Sequence, residues 1–269
     1  MKNEASQYNY LGEFLNRIRS KGRYSFTYNE ALEAFDITKQ ALDQNLYRLK
    51  SKNIISAIRK GFYVIIPPEY SSQNMLPAYL FIDDLMHSIN KKYYVALLSA
   101  AALHGAAHQQ PMEYFVITEL PAIRSIKNNK IVINFLVKKQ WYSNDVVKKN
   151  TDAGFINVSS PELTALDLLY YSAEISINRA YTVLQELYEE INSINLSKTA
   201  KQYPQTVAIQ RLGYLLDRKM NTEKLVSPLL KVLKDRKYYF TPLVPGKANK
   251  GVPDTKWKII VNSEVEGDL

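Results

Sequence analysis

In the stretch "TKQALDQNLYRLKSKNIISAIRKG" (38–61), side chains suited to reading a nucleic acid recur at helical spacing. Steps of about 100° per residue along 39–52 put Gln40, Gln44, Tyr47, Arg48 and Ser51 opposite Leu42, Leu46 and Leu49. Glutamine can bond adenine through two groups and arginine can bond guanine likewise, so this face carries the chemistry of major-groove readout. Lys39, Lys50 and Lys52 flank it, where phosphates would run. Arg59 and Lys60 fall on a tight turn from which they would reach the DNA backbone or an adjacent minor groove. From Thr38 to Lys60 there are six basic residues and one acid, Asp43, whereas the preceding "NEALEAFD" is acidic. The expected DNA-contact set is therefore Lys39, Gln40, Gln44, Tyr47, Arg48, Ser51, Lys52, Arg59 and Lys60. The bland alternative is a solvated helix face or a protein-interaction module.

A second basic stretch, 201–250, holds eleven Lys or Arg against three acids, with aromatics interleaved in "DRKYYF". Basic and aromatic side chains together suit phosphate contact and base stacking. A second nucleic-acid surface is accordingly expected from Arg211, Arg218, Lys219, Lys231, Lys234, Arg236 and Lys237. A solvated helix face explains the same residues equally well.

Signals for catalysis are thin. His104 and His108 stand four apart in "LHGAAHQQP", but Gly105 occupies the position where a zinc-protease motif needs glutamate. Asp83-Asp84 lacks the Gly-Ser element of a nucleotidyltransferase and reads as an exposed helix face. Asp254, Glu264 and Glu266 resemble the carboxylates of a metal-dependent nuclease without its expected lysine. Neither a Walker loop nor a Gly-rich dinucleotide fingerprint occurs. No catalytic residue, metal or cofactor is expected, and the chain is read as a non-enzyme.

The elements that must position these groups follow from periodicity. A helix at 8–21 places Leu11, Phe14, Leu15 and Ile18 on one face. Thr27 with Glu30 is a capping-box pattern opening a short helix, and Thr38 caps the helix at 39–52. "IISAIRKGFYVII" alternates as a hairpin about Lys60-Gly61. Helix, short helix, turn, helix and hairpin is the order of a winged helix-turn-helix, assigned to 1–68. "PPEYSSQNMLP" (67–77) closes it, with the linker assigned to 69–77. Beyond it, 78–90 and 93–108 read as helices and "EYFVIT", "KIVINFLVKK" and "GFINVS" as strands. Ser160-Pro161 opens an apolar helix, with further helices at 178–193, 203–219 and 222–236, and "KWKIIVNSEV" closes as a strand. Strands followed by helices give an α+β fold class, with a larger mixed α+β domain at 78–269.

The segments "YYVALLSAAALHGAAHQQP" (93–111), "YFVIT", "SPELTALDLL" and "KWKIIVNSEVEGDL", in that order behind a winged helix, resemble the AbiEi family of abortive-infection antitoxins. Only the stretch around 193–205 has no counterpart. The resemblance implies the antitoxin of a two-gene phage-defence system, paired with a nucleotidyltransferase-like toxin without needing a stable complex. It further implies autorepression through inverted repeats in the chain's own promoter. That means double-stranded DNA as partner and at least two copies on it, since operator symmetry mirrors protein symmetry. The second domain is implied to counter toxicity. A ligand-responsive repressor and a metal-dependent nucleic-acid enzyme are the rival readings.

Composition agrees without deciding. The 269 residues carry a net charge of +9, compatible with nucleic-acid binding. The absence of cysteine removes disulfides, thiolate zinc sites and cysteine nucleophiles. No apolar run approaches a membrane span, and "MKNEASQYNY" is unlike a secretory signal, so a cytoplasmic protein is expected.

Overall fold

The computed structural model describes residues 2–35, 37–106, 113–128, 130–248 and 250–267, with side chains from residue 11 onward. Its N-terminal lobe runs α1 (Lys2–Ser20), β1 (Ser25–Thr27), α2 (Tyr28–Ala34), α3 (Lys39–Ser51), β2 (Ile55–Arg59) and β3 (Phe62–Ile65). β3 lies between β1 and β2, antiparallel to both. β1 was not expected from sequence, because three residues are too few to show alternation. The capping box forms: Thr27 Oγ1 accepts from Glu30 N while the Glu30 carboxylate accepts from Thr27 N. Leu42, Leu46 and Leu49 of α3 pack with Leu11, Phe14, Leu15, Phe26 and Ile55. Each such leucine contributes roughly 2 kcal/mol through removal from water. Gly61, at φ 77°, supplies the left-handed residue the β2–β3 turn requires.

In the second lobe the chain forms α4 (Ile82–Ser88), β4 (Tyr93–Val95), α5 (Leu97–Leu103), β5 (Glu113–Thr118), β6 (Ile126–Lys127), β7 (Val132–Val137), β8 (Val146–Thr151) and β9 (Gly154–Ser159). The helices α6 (Pro161–Tyr170), α7 (Ser172–Ile175), α8 (Ile177–Leu187), α9 (Ser193–Gln202), α10 (Thr206–Arg218) and α11 (Glu223–Lys234) follow. A small sheet of β10 (Thr241–Pro242), β11 (Val252–Asp254) and β12 (Ile259–Val261) closes the described chain. The main sheet has the order β6-β7-β5-β4-β9-β8.

Several boundaries depart from the sequence expectation. Tyr93–Val95, expected as the start of a helix, is instead a central strand, antiparallel to β5 and parallel to β9. Aromatic and β-branched residues suit a strand buried on both faces, and all three are buried. The helix begins only at Leu97, whose φ of 51° turns the chain out of the sheet. The stretch at 193–205 contains α9, capped by Asn192.

Alternation along the strands divides the apolar side chains between two layers. Tyr94, Phe115 and Ile117 face the helices α6 to α11, with Trp257 of the C-terminal tail in the same cluster. Val95, Val116, Ile133, Phe135, Ile156 and Val158 face α4 together with Ile58, Phe62 and Val64 of the N-terminal lobe. The segment expected as a linker is part of that second layer, with Met75 and Leu76 buried. Polar contacts reinforce the join: Asp84 accepts from Ser25 Oγ at 2.5 Å and from Arg23 Nε at 3.3 Å. Arg23 also pairs with Glu30 at 2.9 Å, which ties the start of α2 to α4. Apolar burial wins over the polar composition of 69–77, which is why the segment is no free tether.

Candidate nucleic-acid interface and the second lobe

The exposed face of α3 is held by its ends as much as by its leucine seam. Thr38 Oγ1 accepts from Ala41 N at 3.3 Å at the start of α3. At the other end Asn53, at φ 54°, lets Ile54 N reach back to Leu49 O at 3.0 Å. Tyr28 of α2 donates its hydroxyl to Lys39 O at 3.5 Å, fixing the approach of the two helices. Lys39, Gln40, Gln44, Tyr47, Arg48, Ser51 and Lys52 are all exposed, as are Arg59 and Lys60 at the β2–β3 turn. The second lobe leaves this face open because it packs on the back of the hairpin, through Ile58, Phe62 and Val64. Tyr47 is 69% exposed, an aromatic ring presented to solvent amid hydrogen-bonding neighbours. Ser51 Oγ is turned onto Arg48 O at 2.9 Å.

The second expected surface is corrected at two of its seven positions, Arg211 and Arg236. Arg211 is buried and donates from Nε and Nη2 to Pro242 O and from Nη1 to Leu169 O. Burial pushes its pKa down to about 10, so it remains a cation that welds α6 to the C-terminal strands. Arg236 donates to the carbonyls of Ala200, Lys201 and Tyr203 at 2.8 Å, a cation on the terminal carbonyls of α9. Arg218 is paired with Asp254 at 2.7 Å and lies 3.7 Å from Asp217. A guanidinium with five donors in a fixed fork suits backbone capture, and Arg211 and Arg236 are spent on it. Arg218, Lys219, Lys231, Lys234 and Lys237 are exposed, and so are Tyr239 at 78% and Phe240 at 48%.

Several residues weighed for catalysis make structural contacts. Asp254 caps Trp257 N at 2.9 Å besides pairing with Arg218. Asp83 accepts from the Tyr93 hydroxyl at 2.6 Å, so Asp83-Asp84 is a half-buried join rather than a free helix face. His104 Nε2 meets Ser159 O at 2.7 Å, and burial holds its pKa below the ordinary histidine range. His108 lies outside the described residues. Among the described residues, no three His, Cys, Asp or Glu are grouped to hold a metal.

One polar centre had no counterpart in the sequence reading. Lys138 Nζ lies 2.7 Å from Asp167 Oδ1, and both side chains are sealed from solvent. Asp167 also accepts from Tyr94 OH at 2.8 Å and Tyr203 OH at 2.7 Å. Burial first, and the Asp167 charge second, raise both tyrosine pKa values well above the usual phenol. The ammonium also sits 4.2 Å from the Tyr203 ring centroid. This centre ties the end of β7 to β4, α6 and the α9–α10 connection. The one available signal was a single acid inside the apolar run "LTALDLLYY", since a buried carboxylate needs a partner.

An α+β chain with an exposed basic helix on one lobe and a sheet-and-helix second lobe is the class these observations define. Residues 94–218 match the model of the AbiEi antitoxin C-terminal domain. That match makes residues 94–218 similar to the C-terminal domain of AbiEi antitoxins and supports a toxin–antitoxin role. Its fold is similar to the crystal structure of the RV2827C protein from Mycobacterium tuberculosis, with a TM-score of 0.66 at 16% identity, covering 94% of this chain and 90% of that one. A crystal structure of an antigenic nucleotidyltransferase-like protein from Paracoccidioides brasiliensis aligns with a TM-score of only 0.30 at 9% identity, over 58% of this chain and 85% of that one. No curated protein matches the chain. No described helix is long and apolar enough to cross a membrane.

Proposed function

We propose that the chain is a DNA-binding autorepressor as well as an antitoxin, with 1–68 acting as a winged helix-turn-helix and 78–269 as the part that counters the toxin. The observation that carries the DNA half is the exposed polar and basic face of α3, left uncovered by the described residues, with Arg59 and Lys60 beyond it. In this reading α3 enters the major groove. Gln40, Gln44 and Arg48 meet base edges, Tyr47 and Ser51 line the groove wall, and Lys39 and Lys52 meet phosphates. Arg59 and Lys60 clamp the flanking backbone. Two copies bind an inverted repeat in the chain's own promoter. The partner toxin is a nucleotidyltransferase-like protein of the same phage-defence operon, opposed in the cytoplasm without a stable complex. The protein acts by binding, not by turnover. The exposed Lys219, Lys231, Lys234 and Lys237 extend the nucleic-acid surface.

Fluorescence anisotropy on the upstream DNA against a scrambled duplex, across a salt series, tests this reading. Expected is specific binding about 10³-fold tighter than non-specific, weakened by Gln44→Ala with Arg48→Ala chiefly on the specific duplex. Equal, weak binding to both duplexes would remove the repressor half. Charge reversal at Lys231, Lys234 and Lys237 that left both DNA affinity and protection from the co-expressed toxin unchanged would remove the second surface.

A further inference from the structure

We infer that the cleft between the connection at 73–79 and the sheet and α5 of the second lobe is a binding site for a small aromatic or conjugated anion. The cleft encloses about 480 Å³, within the range of pockets that hold small organic molecules. One wall is the ordered connection between the lobes, with Met75 and Tyr79. Another is α5, with Ala102 and Leu103, and strands β5 and β7 supply the remainder. These walls favour a flat apolar body. Tyr114 of β5 lines the same cleft, and its hydroxyl is buried with no hydrogen-bond partner among the described residues. A buried hydroxyl left unpaired is costly in a folded protein, so an acceptor supplied from outside would relieve it.

Lys130 stands on the rim. Its Nζ donates to Asn74 O at 3.0 Å and reaches Asn53 Oδ1 at 3.5 Å. An ammonium has three donors, so a third remains for an anionic group on the ligand. The position of Lys130 also links the cleft to α3, because Asn53 is the left-handed residue that terminates that helix. A ligand that draws on Lys130 therefore acts on the end of the helix carrying Gln44 and Arg48. A cleft tied to that helix is the feature a ligand-responsive regulator needs, and it stands beside the antitoxin role without replacing it.

The test uses the full-length protein and 1-anilinonaphthalene-8-sulfonate, a conjugated anion whose emission rises on leaving water. Expected is one-to-one binding that is lost in Ala102→Phe, where the ring fills the cleft. Tyr114→Phe is expected to weaken binding by about threefold to tenfold, the equivalent of one hydrogen bond, while raising Tm because the orphan hydroxyl is gone. Lys130→Gln weakens it to a similar degree. Probe binding also changes hydrogen exchange at the amides of Asn53 and Ile54. Absence of one-to-one binding overturns the inference. So does binding that survives Ala102→Phe, as it would on the exposed Tyr239 and Phe240 surface. Should Ala102→Phe fail to fold, the near-isosteric Tyr114→Phe decides, since unchanged affinity there removes the site. Unchanged exchange at Asn53 and Ile54 removes the link to α3.

Discussion

Replacing Lys138 by Met should cost about 3–5 kcal/mol of stability, because it strands a carboxylate that water cannot reach. Asp167 is 0% exposed and accepts three hydrogen bonds, from Lys138 Nζ, Tyr94 OH and Tyr203 OH. Deleting the lysine leaves two phenol donors and no counter-charge. The intact pair contributes far less than the single deletion suggests, since the Coulomb attraction at 2.7 Å is offset by the desolvation of both ions. That asymmetry makes the reasoning testable through the double variant. Lys138→Met with Asp167→Asn removes both charges and keeps an amide beside Tyr94 and Tyr203. It should recover most of the loss and sit within about 1–2 kcal/mol of the parent. Urea unfolding of parent, both single variants and the double variant gives the coupling energy directly. A single Lys138→Met cost below about 1 kcal/mol would show that water reaches Asp167 after all. A double variant as unstable as the sum of the singles would show that the two groups act independently, and the account of this centre would fail.

Two further outcomes follow from the same packing. A Cβ at Gly213 would lie 1.9 Å from the Trp257 ring, which is fully buried against α10 and donates Nε1–H to Asp217 at 2.8 Å. Gly213→Ala should therefore destabilise by at least about 1–3 kcal/mol despite alanine's better helix propensity, and near-ultraviolet circular dichroism should report displacement of Trp257. His104 has its pKa lowered by burial, so below the ordinary histidine pKa the unfolded chain takes a proton that the folded chain resists. Stability is thus full above that range and falls as pH drops toward the folded-state pKa. Urea midpoints at pH 7.5 and 5.5 should diverge more for the parent than for His104→Gln, which can still donate to Ser159 O.

The local chemistry of the N-terminal lobe was legible from the sequence by itself. Thr27 and Glu30 cap within one turn, Gly61 turns the hairpin, and the leucines of α3 repeat at helical spacing, all over distances of a few residues. Strands such as Glu113–Thr118 and Gly154–Ser159 also announced themselves, because apolar runs bounded by turns need little context. Only the tertiary structure decided the fate of charges and connections that depend on distant partners. Arg211 and Arg236 read as surface groups and Asp254 as a catalytic one, yet the arginines bond residues thirty or more positions away and Asp254 pairs with Arg218 across thirty-six. Tyr93–Val95 became a strand because β5 and β9 flank it, and Met75 and Leu76 of the expected linker became core because a sheet face lay there to cover. Lys138 and Asp167 find each other across twenty-nine residues. A sequence pattern records a side chain's own periodicity; whether that side chain meets water, a carbonyl or an opposite charge is set by chain segments that only folding brings near.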